Sequence, residues 1–247
     1  MDAANRRLLL LSNSTNFGQE WLDHAEEGIR EFLGRTVDEV LFVPYAAVTF
    51  SYDEYTSLAR EKFGKLGYQV RSIHEAERPK EAVRNAEAIA VGGGNTFHLV
   101  THLYRIGIID EVRRRVLRNG IPYIGWSAGA NVACPSLKTT NDMPIVEPPS
   151  FHTFNLVPFQ INPHYLDEHP KEHQGETRER RIEEFIEANP DIYVVGLREG
   201  SMLRVEGDSI SLIGEKPARV FRKGEEPAEY HISDLMEFLL RREGDGE

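Results

Sequence analysis

Cysteine and long apolar runs are the scarcest features of this sequence. Its 247 residues contain one cysteine, Cys134, which excludes an internal disulfide framework and suits a reducing compartment, so we expect the cytoplasm. No stretch approaches the length of a membrane span, and the apolar run at residues 8–11 is too short for a signal peptide, so we expect no membrane partner. No linker rich in Pro, Gly or Ser divides the chain, which predicts a single domain over residues 1–247.

Positive charge is also sparse. The chain has 29 Lys and Arg against 40 Asp and Glu, which gives a formal net charge of −11 at pH 7. A nucleic acid would require a basic stripe, and the sequence has none, so we expect no nucleic-acid partner. An anionic substrate would therefore need a local cationic site.

Short apolar runs alternate with amphipathic segments along most of the chain. The runs at residues 8–12, 40–43 and 88–91 are typical of strands buried on both faces. This order predicts an α/β fold, with a mostly parallel sheet and helices on both faces. Two later runs flank Glu206-Gly207-Asp208-Ser209 and predict a β-hairpin towards the C-terminus. A last apolar stripe predicts a final amphipathic helix that carries Ile232, Leu235, Met236, Leu239 and Leu240.

The segment Gly125-Trp126-Ser127-Ala128-Gly129 follows an apolar run and predicts a strand-to-helix elbow. Such an elbow turns so sharply that a side chain two residues from the serine would collide, which explains glycine on both sides. Ligands bind at the carboxyl ends of strands in this kind of sheet, so Ser127 is a candidate nucleophile. The amide of Ala128 would then be one oxyanion donor. A tight turn without chemistry is the alternative.

A second glycine-bearing turn, Gly92-Gly93-Gly94-Asn95, follows another apolar run. It lacks the third glycine of a dinucleotide loop and the Gly-Lys-Ser/Thr of a phosphate loop, so we expect no cofactor. The bare amides of Gly93 or Gly94 could complete an oxyanion hole. Glycines that serve the turn alone remain the alternative.

A serine hydroxyl needs a base, and the base needs an acceptor that fixes its tautomer. His164 follows a strand-like run and Glu199 ends another, so both would lie at the sheet edge that carries Ser127. An α/β-hydrolase would instead require the chain order Ser, acid, His. The residues available for that order are His231, Asp191 and Asp208.

A metal-dependent hydrolase is a further alternative, because several potential ligands lie close together in sequence. Their spacing is loose and Pro170 favours a solvated loop, so we expect no metal. The residues concerned are His164, Asp167, His169 and His173.

Five segments, in chain order from residue 9 to residue 201, resemble the motifs of the peptidase E family, the α-aspartyl dipeptidases related to cyanophycinases. The resemblance implies a fold like class I glutamine amidotransferases, which is flavodoxin-like, and a triad of Ser127, His164 and Glu199. It also implies hydrolysis of dipeptides with a free N-terminal L-aspartate, without metal or organic cofactor. The segments are Leu9-Leu10-Leu11-Ser12-Asn13-Ser14-Thr15, Gly92-Gly93-Gly94-Asn95-Thr96-Phe97, Gly125-Trp126-Ser127-Ala128-Gly129-Ala130, Asn162-Pro163-His164-Tyr165 and Leu197-Arg198-Glu199-Gly200-Ser201.

An aspartyl side chain in a pocket needs a fixed cation, and the guanidinium fork of arginine matches a carboxylate. Arg178 falls four residues before Ile182 and seven before Phe185, on the inward stripe of a predicted helix. Arg181 is close to that stripe and Arg180 is not. The resemblance implies an aspartate-binding arginine in this region, so Arg178 is the candidate, and a solvated helix charge is the alternative.

Two other functions fit part of the pattern. A cyanophycinase-like exopeptidase or an esterase would share the triad and differ in the pocket. An amidotransferase-like module would carry cysteine at the elbow, whereas the elbow has Ser127 and Cys134 lies seven residues beyond it. We expect a small peptide as the partner, and either a monomer or a homodimer.

Overall fold

A computed structural model of the chain describes residues 5–167 and 175–241. The strands are β1 (Arg7–Leu11), β2 (Glu39–Val43), β3 (Gln69–Ser72), β4 (Ala88–Val91), β5 (Tyr123–Trp126), β6 (Gln160–Tyr165), β7 (Val194–Arg198), β8 (Met202–Glu206), β9 (Ser209–Ile213), β10 (Ala218–Phe221) and β11 (Ala228–Tyr230). The α-helices are α1 (Glu26–Leu33), α2 (Tyr52–Leu66), α3 (Pro79–Arg84), α4 (Thr96–Ile106), α5 (Ile109–Asn119), α6 (Ala128–Asn131) and α7 (Arg178–Ala188).

The main sheet has seven strands in the order β3-β2-β4-β5-β1-β8-β9. The first five are mutually parallel, as the alternation of strands and helices predicts. Strands β8 and β9 form the predicted hairpin, and β8 pairs antiparallel with β1. The α/β class, the mostly parallel sheet and the hairpin are therefore confirmed.

Both faces of this sheet are covered by helices, which the sequence also predicts. Leu8 and Leu10 of β1 belong to one buried cluster, together with residues of α3, α4 and α5. Leu9 and Leu11 belong to a second cluster, together with residues of α1 and α2. Successive side chains of a strand point to opposite faces, so a continuous run of leucines is required here. Burial of each leucine stabilises the fold by about 1.5–3 kcal/mol.

Four strands form a second sheet in the order β11-β10-β7-β6. The sequence pattern alone does not distinguish these strands from those of the main sheet. Strands β6 and β7 are parallel, and β10 runs antiparallel to β7. His164 lies within β6, and Glu199 directly follows β7. The candidate base and acid are thus supplied by this second sheet, whereas Ser127 follows a strand of the main sheet.

The predicted final amphipathic helix is wrong. The structure has strand β11 followed by a single 3₁₀ turn, Glu237–Leu240. Met236, Leu239 and Leu240 are buried, whereas Ile232 and Leu235 are exposed. The Asp234 carboxylate accepts a hydrogen bond from the His231 amide, at 2.6 Å, which stabilises a local turn in place of a helix.

No helix within the described ranges is long and apolar enough to cross a membrane.

Candidate active site

Ser127 lies in a strained turn between β5 and α6. Its backbone angles are φ 52° and ψ −112°, a combination that residues other than glycine rarely adopt. The two flanking glycines are required by close packing. A Cβ on Gly125 would lie 2.3 Å from the Gly129 carbonyl oxygen, and a Cβ on Gly129 would lie 2.1 Å from the Val91 carbonyl oxygen. This packing presents the Ser127 hydroxyl beyond the end of the strand, as the sequence predicts for an elbow.

The structure brings the three candidate triad residues together. The Nε2 atom of His164 lies 2.9 Å from Ser127 Oγ, and its Nδ1 atom lies 2.7 Å from Glu199 Oε1. A carboxylate can only accept a hydrogen bond, so Nδ1 carries the proton and Nε2 is free to accept the serine proton. The side chains of His164 and Glu199 are 36% and 45% exposed, so a small substrate can reach them.

The end of β1 joins the segments that carry these three residues. The Ser127 amide donates to the Leu11 carbonyl oxygen at 3.1 Å. The neighbouring Ser12 hydroxyl accepts from the His164 amide at 2.9 Å and donates to the Leu197 carbonyl oxygen at 2.7 Å. His164 has φ 54° at an irregularity in the β6–β7 pairing, so its backbone needs such an anchor. The sequence alone does not indicate this role of Ser12, because the contact joins distant parts of the chain.

We expect Ser12→Ala to lower the turnover number for the chain's peptide substrate about tenfold, because His164 loses the anchor of its strained backbone. The unpaired His164 amide and Leu197 carbonyl should also lower the free energy of unfolding by about 1–3 kcal/mol. Ser72→Ala is the matched control, since Ser72 is equally buried at the end of the edge strand β3, where its hydroxyl forms a hydrogen bond with the His74 imidazole. It should lower stability without lowering turnover. Equal turnover in the two variants would contradict the anchoring role.

The predicted oxyanion residues lie beside Ser127. A Cβ on Gly93 would lie 3.0 Å from the Ser127 Cβ, so the two turns are in direct contact. Gly94 has φ 135°, and a Cβ there would lie 2.2 Å from the Ala46 carbonyl oxygen, so only glycine fits. Ala128 is the first residue of α6, where a helix leaves its amides without intrahelical partners. Within the described residues, the amides of Gly93 and Gly94 donate no hydrogen bond.

Arg178 opens α7 and is partly buried, whereas Arg180 and Arg181 are exposed. Ile182 and Phe185, on the same helix, pack against residues of the second sheet in a small apolar cluster, as the predicted stripe requires. Burial lowers the pKa of Arg178, and the neighbouring Arg181 lowers it further, while the Asp142 carboxylate opposes both effects. The Arg178 guanidinium makes no hydrogen bond or ion pair to residues 5–167 or 175–241, so it is available to an anion.

Asp142 is a charged residue that the sequence analysis missed. It lies in the irregular segment after α6, and its Oδ2 accepts from the Thr96 amide at 2.7 Å, the Thr96 hydroxyl at 2.6 Å and the Thr140 hydroxyl at 3.0 Å. Thr96 begins the helix that follows the Gly92–Asn95 turn, so this carboxylate lies beside that turn. The sequence offered only the length of the irregular segment as a signal.

Within residues 5–167 and 175–241, the His231 and Asp208 pair of the α/β-hydrolase alternative is not assembled. His231 is exposed and its amide bonds Asp234, and Asp208 is paired with Arg6. Asp167 forms a bidentate ion pair with Arg198, so both of its carboxylate oxygens are already bound by a cation.

Two of the histidines in the metal alternative, His169 and His173, lie outside the described residues. Among the residues that are described, the one close group of three potential metal ligands is Asp53, His74 and Glu75. There the Glu75 carboxylate is already held by Arg60 at 2.7 Å.

The sequence matches the model of one protein family. The family model described as peptidase family S51 matches residues 8–213, which is most of the chain. The chain belongs to peptidase family S51. It is therefore a serine-type peptidase, and the predicted family is confirmed.

Curated relatives of this S51 peptidase are similar to it in sequence along nearly their whole length. Peptidase E of Nostoc is 54% identical over 96% of this chain and 98% of the relative. The probable alpha-aspartyl dipeptidase of Drosophila melanogaster is 44% identical over 97% of this chain and 100% of the relative.

A solved structure of a peptidase from an acI-B1 Actinobacterium is 16% identical, with a TM-score of 0.68 over 95% of this chain and 98% of that chain. This likeness supports the fold alone.

Proposed function

We propose that this S51 peptidase hydrolyses dipeptides with a free N-terminal L-aspartate, through an acyl-enzyme formed on Ser127. The observation that carries the proposal is the hydrogen-bonded series from Glu199 through His164 to Ser127 in a strained elbow. The match to a relative named as a probable alpha-aspartyl dipeptidase supports the substrate class.

The first half of the reaction forms the acyl-enzyme. The Ser127 oxygen attacks the carbonyl carbon of the aspartyl residue while His164 Nε2 takes the hydroxyl proton. Glu199 accepts the Nδ1–H and stabilises the imidazolium that forms. The carbonyl electron pair moves onto oxygen, where the Ala128 amide and an amide of Gly93 or Gly94 bind it. The C–N bond then breaks, and His164 gives its proton to the leaving amine.

The second half releases aspartate. A water molecule gives a proton to His164 Nε2 and attacks the aspartyl ester carbon. The same two amides bind the second oxyanion. The ester C–O bond breaks, the proton on His164 returns to Ser127 Oγ, and free aspartate leaves.

The charges around the site suit an N-terminal aspartyl residue. This residue carries an ammonium group and a side-chain carboxylate close to the scissile carbonyl. Asp142, held by three hydrogen bonds to one oxygen, would bind the ammonium group. Arg178 lies close enough to Asp142 for that carboxylate to raise its pKa, and it would bind the side-chain carboxylate of the substrate. In a chain of net charge −11, this cation would supply the attraction that the overall charge does not.

We expect Arg178→Ala to lower kcat/KM for Asp-Leu about 10- to 100-fold, as loss of a charged hydrogen bond does. Any slow hydrolysis of Leu-Leu should not change, because that substrate has no side-chain carboxylate. Arg180→Ala is the matched control, since Arg180 lies on the same helix and is exposed. Initial rates for both dipeptides test this. If Arg178→Ala keeps the preference for Asp-Leu, another residue must bind the carboxylate.

The substrate class is tested with purified protein in the presence of a chelator, on Asp-Leu, Glu-Leu, Leu-Leu and N-acetyl-Asp-Leu. We expect cleavage of Asp-Leu only, because Glu-Leu misplaces the carboxylate and the acetyl group removes the ammonium charge. Cleavage of the acetylated peptide at the rate of Asp-Leu would contradict the role of Asp142. If no dipeptide is cleaved, β-linked aspartyl polymers and esters, the alternative substrates, would be favoured.

We also propose that the enzyme acts as a single domain in the cytoplasm, as a monomer or a homodimer. Its partner would be the small peptide alone, without nucleic acid, membrane, metal or organic cofactor. A single thiol and the acidic composition support this assignment.

A further inference from the structure

Tyr55 connects the Gly92–Asn95 turn with the elbow that carries Ser127. It lies on α2 and is buried, with 5% of its surface exposed. Its hydroxyl donates to the Gly93 carbonyl oxygen at 3.1 Å and accepts from the Trp126 indole Nε1 at 2.9 Å. Trp126 directly precedes the candidate nucleophile, and Gly93 belongs to the candidate oxyanion turn. One phenol therefore bridges both turns from the side of the core.

We infer that Tyr55 is a positioning residue for the oxyanion hole, and that the amide it orients is that of Gly94. This inference rests on the proposed acyl-transfer function. In a trans peptide the C=O and the following N–H point in opposite directions. The Gly93 carbonyl is held towards the core by Tyr55, so the Gly94 N–H points away from the core, towards the carbonyl of a bound substrate.

The rest of this turn is fixed independently of Tyr55. The Gly92 amide donates to the Val43 carbonyl oxygen at 3.1 Å, and the Asn95 amide donates to the Ala46 carbonyl oxygen at 2.8 Å. Among the described residues, only the Tyr55 hydroxyl binds the Gly93 carbonyl. Loss of this hydroxyl would thus leave both ends of the turn in place and free only the peptide plane between Gly93 and Gly94.

The phenol ring has a separate packing role that phenylalanine would keep. Its centroid lies 5.0 Å from that of Phe42, 5.1 Å from Phe50 and 6.1 Å from Trp21. Burial raises the pKa of the Tyr55 hydroxyl, so it remains a donor across the working pH range. Tyr55→Phe therefore removes the two hydrogen bonds and preserves the aromatic contacts.

The first test compares Tyr55→Phe with Tyr68→Phe in steady-state hydrolysis of Asp-Leu. Tyr68 is equally buried, and its hydroxyl donates to the Gly34 carbonyl oxygen at 3.0 Å, at the end of α1. We expect kcat of Tyr55→Phe to fall about 10- to 100-fold, somewhat less than the loss of a whole oxyanion donor. KM should change less than about twofold, because the oxyanion forms only in the transition state. Tyr68→Phe should keep the wild-type kcat.

The second test separates orientation of the amide from general damage. An α-aminoboronic acid analogue of aspartate forms a tetrahedral adduct on a serine and places an oxygen in the oxyanion hole. The corresponding amino alcohol forms no such adduct. Inhibition by the boronic acid should weaken in Tyr55→Phe by about the factor lost in kcat, while inhibition by the alcohol should not change. Equal weakening of both inhibitors, or an unchanged kcat, would overturn the inference.

A double variant covers the case in which Tyr55→Phe unfolds because Trp126 keeps an unpaired buried indole N–H. Tyr55→Phe with Trp126→Phe removes that donor, so no indole N–H is left unpaired, and the double variant should still show the low kcat. Recovery of wild-type kcat in the double variant would overturn the inference. Failure of the proposed function is distinguishable, because in that case either the wild-type enzyme would not cleave Asp-Leu or Ser127→Ala would retain the activity, whatever residue stands at position 55.

Discussion

Ser127→Ala should lower kcat for Asp-Leu by at least about 10⁴-fold, as removal of the nucleophile does in other serine peptidases. The nearest thiol cannot replace it. Cys134 is buried, burial raises the pKa of its thiol, and its sulfur accepts a hydrogen bond from the Ile161 amide at 3.2 Å. Initial rates at saturating substrate test this expectation, and wild-type turnover in Ser127→Ala would reject the triad.

Ser127→Gly serves as the structural control for this result. Alanine keeps the Cβ and hence the strain at φ 52°, whereas glycine adopts this angle readily. Both variants should be equally inactive, and the glycine variant should have the higher melting temperature of the two. That order would show that the native elbow is strained to present a hydroxyl. Equal melting temperatures would mean that the turn stores no strain.

The main sheet and the elbow could be predicted from the sequence because their determinants are local. Residues 8–11 are all apolar and are buried on alternate faces, so the pattern alone identifies a central strand. Gly125 and Gly129 are needed by contacts within a few residues and with the adjacent strand. The candidate triad residues could be proposed from the sequence for the same reason, since each stands at or near the end of a recognisable run.

The second sheet and the roles of Ser12 and Tyr55 could not be predicted, because they depend on contacts between distant parts of the chain. Ser12 is separated from His164 by 152 residues, and Tyr55 is separated from Trp126 by 71. Neither residue carries a signal that distinguishes it from an ordinary buried polar group. The apolar stripe that begins at Ile232 gave a wrong prediction of a helix, although its pattern is local. Its helical spacing is real, but the Asp234 carboxylate binds the His231 amide and stabilises a local turn, so only Met236, Leu239 and Leu240 of the stripe are buried.

Glu199→Gln should lower kcat for Asp-Leu about 10³- to 10⁴-fold, a loss comparable with that of the equivalent change in other triads. If the new amide donates to His164 Nδ1, the imidazole proton moves to Nε2, which can no longer accept the Ser127 proton. If the amide oxygen accepts instead, the tautomer is correct but the imidazolium lacks a counter-charge. Both orientations impair the same step, so KM should change little.

Glu206→Gln is the matched control for this change, because Glu206 also stands at a strand end and its side chain is 40% exposed, against 45% for Glu199. Its ion pairs with Arg7 and Arg204 lie on the surface, so its loss should leave kcat unchanged. A Glu199→Gln enzyme within about tenfold of wild-type kcat would fall far short of the loss expected for a triad acid. Orientation of His164 would then depend on its backbone anchor to Ser12, and Ser12→Ala should become the more damaging change.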